Sequence, residues 1–201
     1  MPKENTYDDH ILDLNKGLDF AFRRLEKATK SRDDDLRFLV LATIDSRFNP
    51  QTRTVVIREF DKDNLSLRFH TDSRSTKLFE ISSNKNISLL GYDSKNKLQI
   101  RISGEAEIIK IDKILKGIWG KMYPMSRECY RVTEAPGKEV NTIDEVIFEE
   151  EGMDGNNGFK NFSVVNCHIT SLETLYLHSA GHIRCLYENN NNELTGKWIV
   201  P

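Results

Sequence analysis

Apolar residues recur every three or four positions along the first part of the chain, at Ile11, Leu14, Leu18, Phe22 and Leu25. That spacing predicts an amphipathic helix over residues 8–28, capped by Asp8 or Asp9, with Arg23, Arg24, Glu26 and Lys27 on its exposed face. The polar run 30–35 is a link, after which the period becomes that of strands. Residues 38–44 are a near-continuous apolar run, followed by turn chemistry at Asp45-Ser-Arg-Phe-Asn-Pro50. Further strands are expected over 53–60, 65–71, 87–92 and 98–109, with a short helix at 77–83. Short polar loops join these strands, which favours antiparallel neighbours in a meander or barrel. Residues 112–131 read as helical, with Ile114, Leu115, Ile118 and Trp119 in one stripe and Pro124 dividing the span. Ala135-Pro-Gly137, Glu149-Glu-Glu151 and the glycine-rich stretch 152–158 predict a mobile surface loop over 134–160. Strands resume at 162–169, 173–177, 183–187 and 197–200, with 188–193 a solvated hairpin loop. Residues 1–201 read as one domain, mainly β with peripheral helices.

Composition narrows the function classes. Hydrophobic residues make up 38% and charged residues 30% of the 201 positions, which describes a well-solvated surface around one substantial core. A net charge of -2 argues against a general nucleic-acid binder, which needs a broad basic field. No apolar run is long enough to span a bilayer. The first ten residues lack the apolar centre of a signal peptide, and Cys129, Cys167 and Cys185 form no CxxC pair. A cytoplasmic protein with reduced thiols is expected. His10, His70, His168, His178 and His182 show no metal-site spacing, and no metal is expected. There is no GxSxG, P-loop or GxGxxG, so any phosphate here is held by a β-rich scaffold.

The densest chemistry lies between Arg53 and Lys77. Thr71, Ser73, Arg74, Ser75, Thr76 and Lys77 fall where a strand passes into a helix. Hydroxyls and cations at a helix start suit a phosphate, because free N–H groups and the helix dipole both favour an anion. A plain N-cap serine followed by an exposed lysine is the alternative there. Arg53 and Arg58 are five apart and point to opposite faces of an ideal strand, so one ligand meets both only through a bulge or a strand-end contact. Otherwise they are ordinary solvent-facing strand arginines. Val55, Val56 and Ile57 are core formers that can also offer backbone groups to a flat heterocycle. Gln99, Arg101 and Ser103 share one face of their strand, either solvated or lining a ligand cleft.

These residues fall into a recognisable pattern. Arg53-Thr-Val-Val-Ile-Arg58, then Phe69-His-Thr-Asp72 with Ser75-Thr-Lys77, then Gln99 before Gly104-Glu-Ala-Glu107, occur in order. They resemble the strand motif Arg-x-Val-Leu-Leu-Lys, the motif Phe-Tyr-Thr-Asn with Ser-Arg-Lys, and the Gln and Gly-x-Ala-Glu of one family. That family is the pyridoxamine 5'-phosphate oxidase-like FMN-binding split β-barrels, and the likeness is closest to its oxidase-related branch. The similarity runs from about Arg37 to Glu107, with an echo at His182-Ile-Arg184 and residues 198–201. The resemblance implies a split β-barrel holding FMN between two subunits of a homodimer. Its implied cofactor-binding set is Arg53, Thr54, Val55, Val56, Ile57 and Arg58 on one strand, with His70 and Thr71 on the next. Arg74, Ser75, Thr76 and Lys77 at the helix start, Gln99, and Arg184 from the partner chain complete it. Three departures stand out: Thr76 replaces an arginine, Arg58 replaces a lysine, and Ala180-Gly-His182 lacks the arginine of the family's Arg-x-His. The Tyr, Arg and Ser of the family's substrate-phosphate pocket have no clean counterpart around residues 119–127. The implied function is an FMN-dependent oxidoreductase acting on a small-molecule substrate or reductant, with no side chain assigned as catalytic. The alternatives are a flavin-binding or sensing protein without turnover, and a barrel binding another phosphorylated ligand.

Overall fold

The computed structural model describes residues 7–150, 152 and 155–201, so Met153 and Asp154 of the expected loop, and Glu151 before them, lie outside the described residues. The chain begins with a single 3-10 turn at Asp9–Ile11 and enters helix α1 at Leu14–Lys30. The cap is Asp13, whose carboxylate accepts from the Lys16 amide at 2.9 Å, rather than Asp8 or Asp9. Hydrophobic spacing alone does not choose among three nearby aspartates; only the one whose oxygen meets a first-turn N–H starts the helix.

Strands β1 (Phe38–Ile44), β2 (Pro50–Asp61) and β3 (Ser66–Asp72) follow as an antiparallel meander. Helix α2 (Thr76–Ser83) then carries the chain across, so β4 (Asn86–Asp93) pairs with β1 rather than β3. The meander expectation therefore fails at this one connection. Strand β5 (Leu98–Ile108) pairs with β4, helix α3 covers Asp112–Lys121, and two 3-10 turns at Pro124–Ser126 and Glu128–Tyr130 replace the second helical piece. Strand β6 (Phe162–Tyr176) is continuous, where the sequence pattern predicts two strands, because the buried alternation of Val165, Cys167 and Ile169 resets to Leu172, Thr174 and Tyr176 across a register shift without ending the strand. It pairs with β5 on one edge and with β3 on the other, closing a six-stranded barrel. Beyond Ser171 its second edge passes to β7 (Ile183–Asn190), which pairs with β8 (Glu193–Ile199). The fold is a split barrel, mainly β, as expected. The hairpin between β7 and β8 turns on Asn191 and Asn192 alone, both left-handed at φ 53° and 67°. Asparagine tolerates that backbone, and the pair matches the twist of the strands it joins.

Alternating residues fill the barrel, among them Leu39, Leu41, Ile57, Leu67, Phe69, Leu89, Ile100 and Val165. The register of β5 against β6 shifts at Gly104, where a Cβ would stand 2.4 Å from the His168 carbonyl oxygen. Only glycine allows the two backbones to approach so closely there. Helix α1 buries Ala21, Leu25 and Ala28, and Phe22 packs on Phe60 of β2 with ring centroids 5.2 Å apart. A second apolar cluster, Trp119, Tyr130, Phe162 and Val164, lies beneath α3. Within 134–160, Phe148 forms a β-bridge with Val132, just before the segment, and Ile143–Glu145 a 3-10 turn. No helix among the described residues is long and apolar enough to cross a membrane.

Arg24 ties α1 to the barrel. It bonds both oxygens of Asp34, at 2.9 and 3.0 Å, and the carboxylate of Asp93, and all three side chains are largely buried. Burial works to raise the Asp93 carboxyl, but hydrogen bonds from Arg24 and Asn96 outweigh it and leave it below its ordinary 3.8. A carboxyl lowered on folding stabilises fully above its unfolded value and loses that contribution as pH falls through the folded one. The urea midpoint should therefore drop on acidification below about pH 4, and Asp93→Asn should flatten that dependence. Arg24→Ala, which strands two buried carboxylates, should cost about 3–5 kcal/mol in the same denaturation assay.

Candidate functional site

One end of the barrel gathers part of the expected set. Thr71 is an inward residue at the end of β3, Ser75 occupies the N-cap position of α2, and Lys77 lies in its first turn. Lys77 Nζ donates to Thr71 Oγ1 at 2.9 Å, and the Thr71 and Ser75 hydroxyl oxygens stand 3.2 Å apart. Ser75 is only 2% exposed, yet its hydroxyl makes no capping bond to the helix. Arg53 arrives from β2 in phase with Val55 and Ile57; it donates to Thr43 Oγ1 and pairs with Glu80 at 2.7 Å. Burial first, and then the charge of Arg53, hold the Lys77 ammonium below its ordinary range. Two cations are thus confined with one carboxylate, three hydroxyls and the start of a helix. That donor set fits a phosphate, whose charge would relieve the crowding and whose oxygens would take the unused donors.

Beside this cradle β2 and β3 separate. Their ladder starts only at Ile57 paired with Phe69, and shifts register between Ile57 and Glu59. Residues 53–56 of β2 pair with β1 on one edge but not with β3 on the other. The opposing residues, His70 to Asp72, pair only with β6. A strand edge with unladdered backbone groups next to an anion cradle suits a flat heterocycle with polar ring edges. Thr54, Val56 and Arg58 lie on the outward side of β2 and Val55 and Ile57 on the inward side. The register shift at Arg58 comes after Arg53 and does not bring the two guanidinium groups together. They serve different faces.

Arg58 and His70 instead line a cleft of about 750 Å³ between the β2–β3 outer face, the end of α1 and helix α3. Arg58 Nε and His70 Nδ1 are buried there with no hydrogen-bond partner. Burial, then the charges of Arg58 and Arg68, push the His70 ring down to about 3, so it stays neutral. None of the described residues of 134–160 lines this cleft.

The remaining expected residues lie elsewhere. Arg74 pairs with Asp72 at 2.7 Å and donates to the carbonyls of Val132 and Thr133 at 3.0 and 2.9 Å, so it anchors the segment after α3. Thr76 is exposed on the first turn of α2. Gln99 lies on the outward side of β5, with Ile100 and Ile102 inward. Arg184 sits two strands away on β7, held by the buried carboxylate of Glu173 at 2.9 Å, which also pairs with Arg101. Between β2 and this group the outer face carries Phe38, Val40, Leu90 and Tyr92, which are 50, 40, 38 and 45% exposed. Thr43 and Glu80 belong to the cradle without having been expected. A polar position inside the apolar strand 38–44, and an acid one turn from Lys77, were the only signals for them.

Residues 21–110 match the family model described as pyridoxamine 5'-phosphate oxidase, FMN-binding domain. A pyridoxine/pyridoxamine 5'-phosphate oxidase of Enterobacter sp. (strain 638) is 30% identical over 99 residues, covering 49% of this chain and 44% of that protein. The enzyme of the same name from Mesorhizobium japonicum is 32% identical over 85 residues, 42% of this chain and 40% of that protein. The match spans less than half the length of these curated relatives. Among solved structures, a pyridoxamine 5'-phosphate oxidase-related, FMN binding protein from Nostoc punctiforme superposes with a TM-score of 0.76 at 26% identity, covering 91% of this chain and 96% of that one. PhzG from Burkholderia lata, solved with tetrahydrophenazine-1-carboxylic acid, superposes at 0.72 over 98% of both chains and, at 19% identity, shares the fold. The resemblance to the pyridoxamine 5'-phosphate oxidase-like family is thus shown, over residues 21–110 in sequence and over most of the chain in fold.

The His70 ring should show no titration between pH 5 and 8 in proton NMR, because its folded value is about 3. A midpoint near the ordinary 6.5 would mean that the ring is solvated.

Proposed function

We propose that the protein is an FMN-binding oxidoreductase related to pyridoxamine 5'-phosphate oxidase, with its reaction carried out beside the β2–β3 split. The observation that carries this reading is the cradle of Arg53, Thr71, Ser75 and Lys77 next to an unladdered strand edge. Arg53 and Lys77 would neutralise the cofactor phosphate, with Thr71 and Ser75 donating to its oxygens and Thr76 at the same helix start. The 53–57 segment would offer its backbone to the ring system, and Arg58 and His70 would face the substrate side. Bound FMN would supply the hydride or electron transfer, and the protein supplies orientation and electrostatics. His70, held neutral, can donate one hydrogen bond without adding charge beside Arg58.

A homodimer goes with this reading. The apolar outer face at Phe38, Val40, Leu90 and Tyr92 is flanked by Gln99 and Arg184, which the chain does not bring to its own cradle. Burying that face against a second copy would cover it and deliver Gln99 and Arg184 to the partner's flavin. The three unpaired thiols fit a cytoplasmic setting. A second reading, a flavin-binding or sensing protein without turnover, is favoured by two departures: Ala180-Gly-His182 lacks the arginine of the family's Arg-x-His, and residues 119–127 offer no clean counterpart to its substrate-phosphate Tyr, Arg and Ser.

The purified protein should be yellow and release FMN on denaturation. Arg53→Ala with Lys77→Ala should weaken FMN binding by about a hundredfold or more, at ~1.5 kcal/mol for each lost charge-assisted bond, with circular dichroism unchanged. Unaltered affinity in that double variant would place the phosphate elsewhere. Val40→Asp should shift the species seen by light scattering from dimer to monomer. Anaerobic reduction by NADH, NADPH or pyridoxamine phosphate, followed by oxygen, separates the two readings: turnover supports the oxidoreductase, and a flavin that none of them reduces supports the binder.

A further inference from the structure

We propose that the cleft over Arg58 and His70 is built for a second, multiply charged anion, so that the molecule meeting the flavin carries two or more negative groups. This rests on the flavin reading for its role but not for its binding. Seven basic side chains line the cleft against a single acid, Glu59, in a chain whose net charge is -2. They come from three separate parts of the fold. Lys30, Arg32 and Arg37 lie at and beyond the end of α1, Arg58 and Arg68 on β2 and β3, and Lys113 and Lys121 on α3. The one acid is already taken, since Glu59 pairs with Arg68 at 2.7 Å.

Four of the cations, Lys30, Arg32, Lys113 and Lys121, have no acidic partner among the described residues. Lys116, on the same helix, is by contrast paired with Asp112 at 2.7 Å. Arg37 is tied to the end of α1 by bonds to the Ala28 and Thr29 carbonyls at 3.4 and 3.2 Å. Burial first, and then Arg58 and Arg32, lower its pKa, so these like charges are close enough to oppose one another. A single phosphate monoester is satisfied by two or three such groups; this wall exceeds that. The cleft also has an apolar side in Ile114, Ile118 and Met122, and Arg32 stacks over the Tyr123 ring at 5.3 Å. The occupant is therefore a small molecule with an apolar body and at least two anionic groups, of pyrophosphate or polycarboxylate type.

The FMN-loaded protein is titrated calorimetrically with inorganic pyrophosphate, with citrate and with orthophosphate. At least one polyanion should bind tenfold or more tighter than orthophosphate, and its affinity should fall steeply with salt. Pyrophosphate alone binding assigns phosphates, citrate alone assigns carboxylates, and both assign charge number. Lys113→Gln with Lys121→Gln should weaken that binding at least tenfold while FMN affinity stays unchanged, and Lys116→Gln should do neither. Polyanions that bind no tighter than orthophosphate, or a double variant that binds them like the parent, overturn the proposal. A protein that retains no FMN defeats the flavin reading separately, because the same titrations on the flavin-free chain still measure the cleft.

Discussion

Strand β6 is hydrogen-bonded along both edges, and the rest of the structure depends on that double pairing. Its first half lies between β5 and β3 and shuts the barrel; its second half stays on β5 and hands its other edge to β7. A barrel has no free edge, so closure satisfies backbone groups that an open sheet would leave to solvent or to another chain. Strand β3 is held by β6 through Asp72, whereas its ladder with β2 ends at Ile57 and Phe69, and the two part there. The split exposes main-chain groups beside the cradle.

The electrostatics follow from which side of β2 each arginine takes. Arg53 points to the barrel end, where Glu80 and Thr43 hold it beside Lys77. Arg58 points outward into a cleft with little acid in it. Concentrating like charge costs energy in an empty site and returns it when an anion arrives, which is how a protein of near-zero net charge can still bind anions well. Glu173 works in the opposite sense. Almost fully buried, it holds Arg101 and Arg184 in place on the outer face, next to the apolar patch of β1 and β4.

Much of this was legible locally. The strands over 38–44, 65–71 and 87–92 lie within a residue of their observed limits, because a two-residue period is a property of consecutive positions. The break at Pro124 was readable locally as well. The cap at Asp13 was missed because three aspartates compete and only geometry chooses. The unbroken β6 was missed because the alternation resets at Thr170, opposite the register shift in β5, and in the sequence such a reset reads as the end of one strand and the start of another. In the site, Ser75, Lys77 and Thr71 were legible as neighbours in the chain, whereas Glu80 and Thr43 join them only through packing of α2 on β1.

The sequence by itself determined the mainly β character, the strand segments, the anion-favouring helix start and the motifs that mark an FMN-binding split barrel. These are properties of short stretches, set by periodicity and local hydrogen bonding. Tertiary structure alone decided that α2 carries β4 across to β1, and that β6 closes the barrel. It also decided that Arg53 and Arg58 take opposite sides of β2. Lys30, Arg37 and Lys113 meet in one cleft although more than seventy positions separate the first two from the third. Charge acts through space, and only the packed chain says which charges share it.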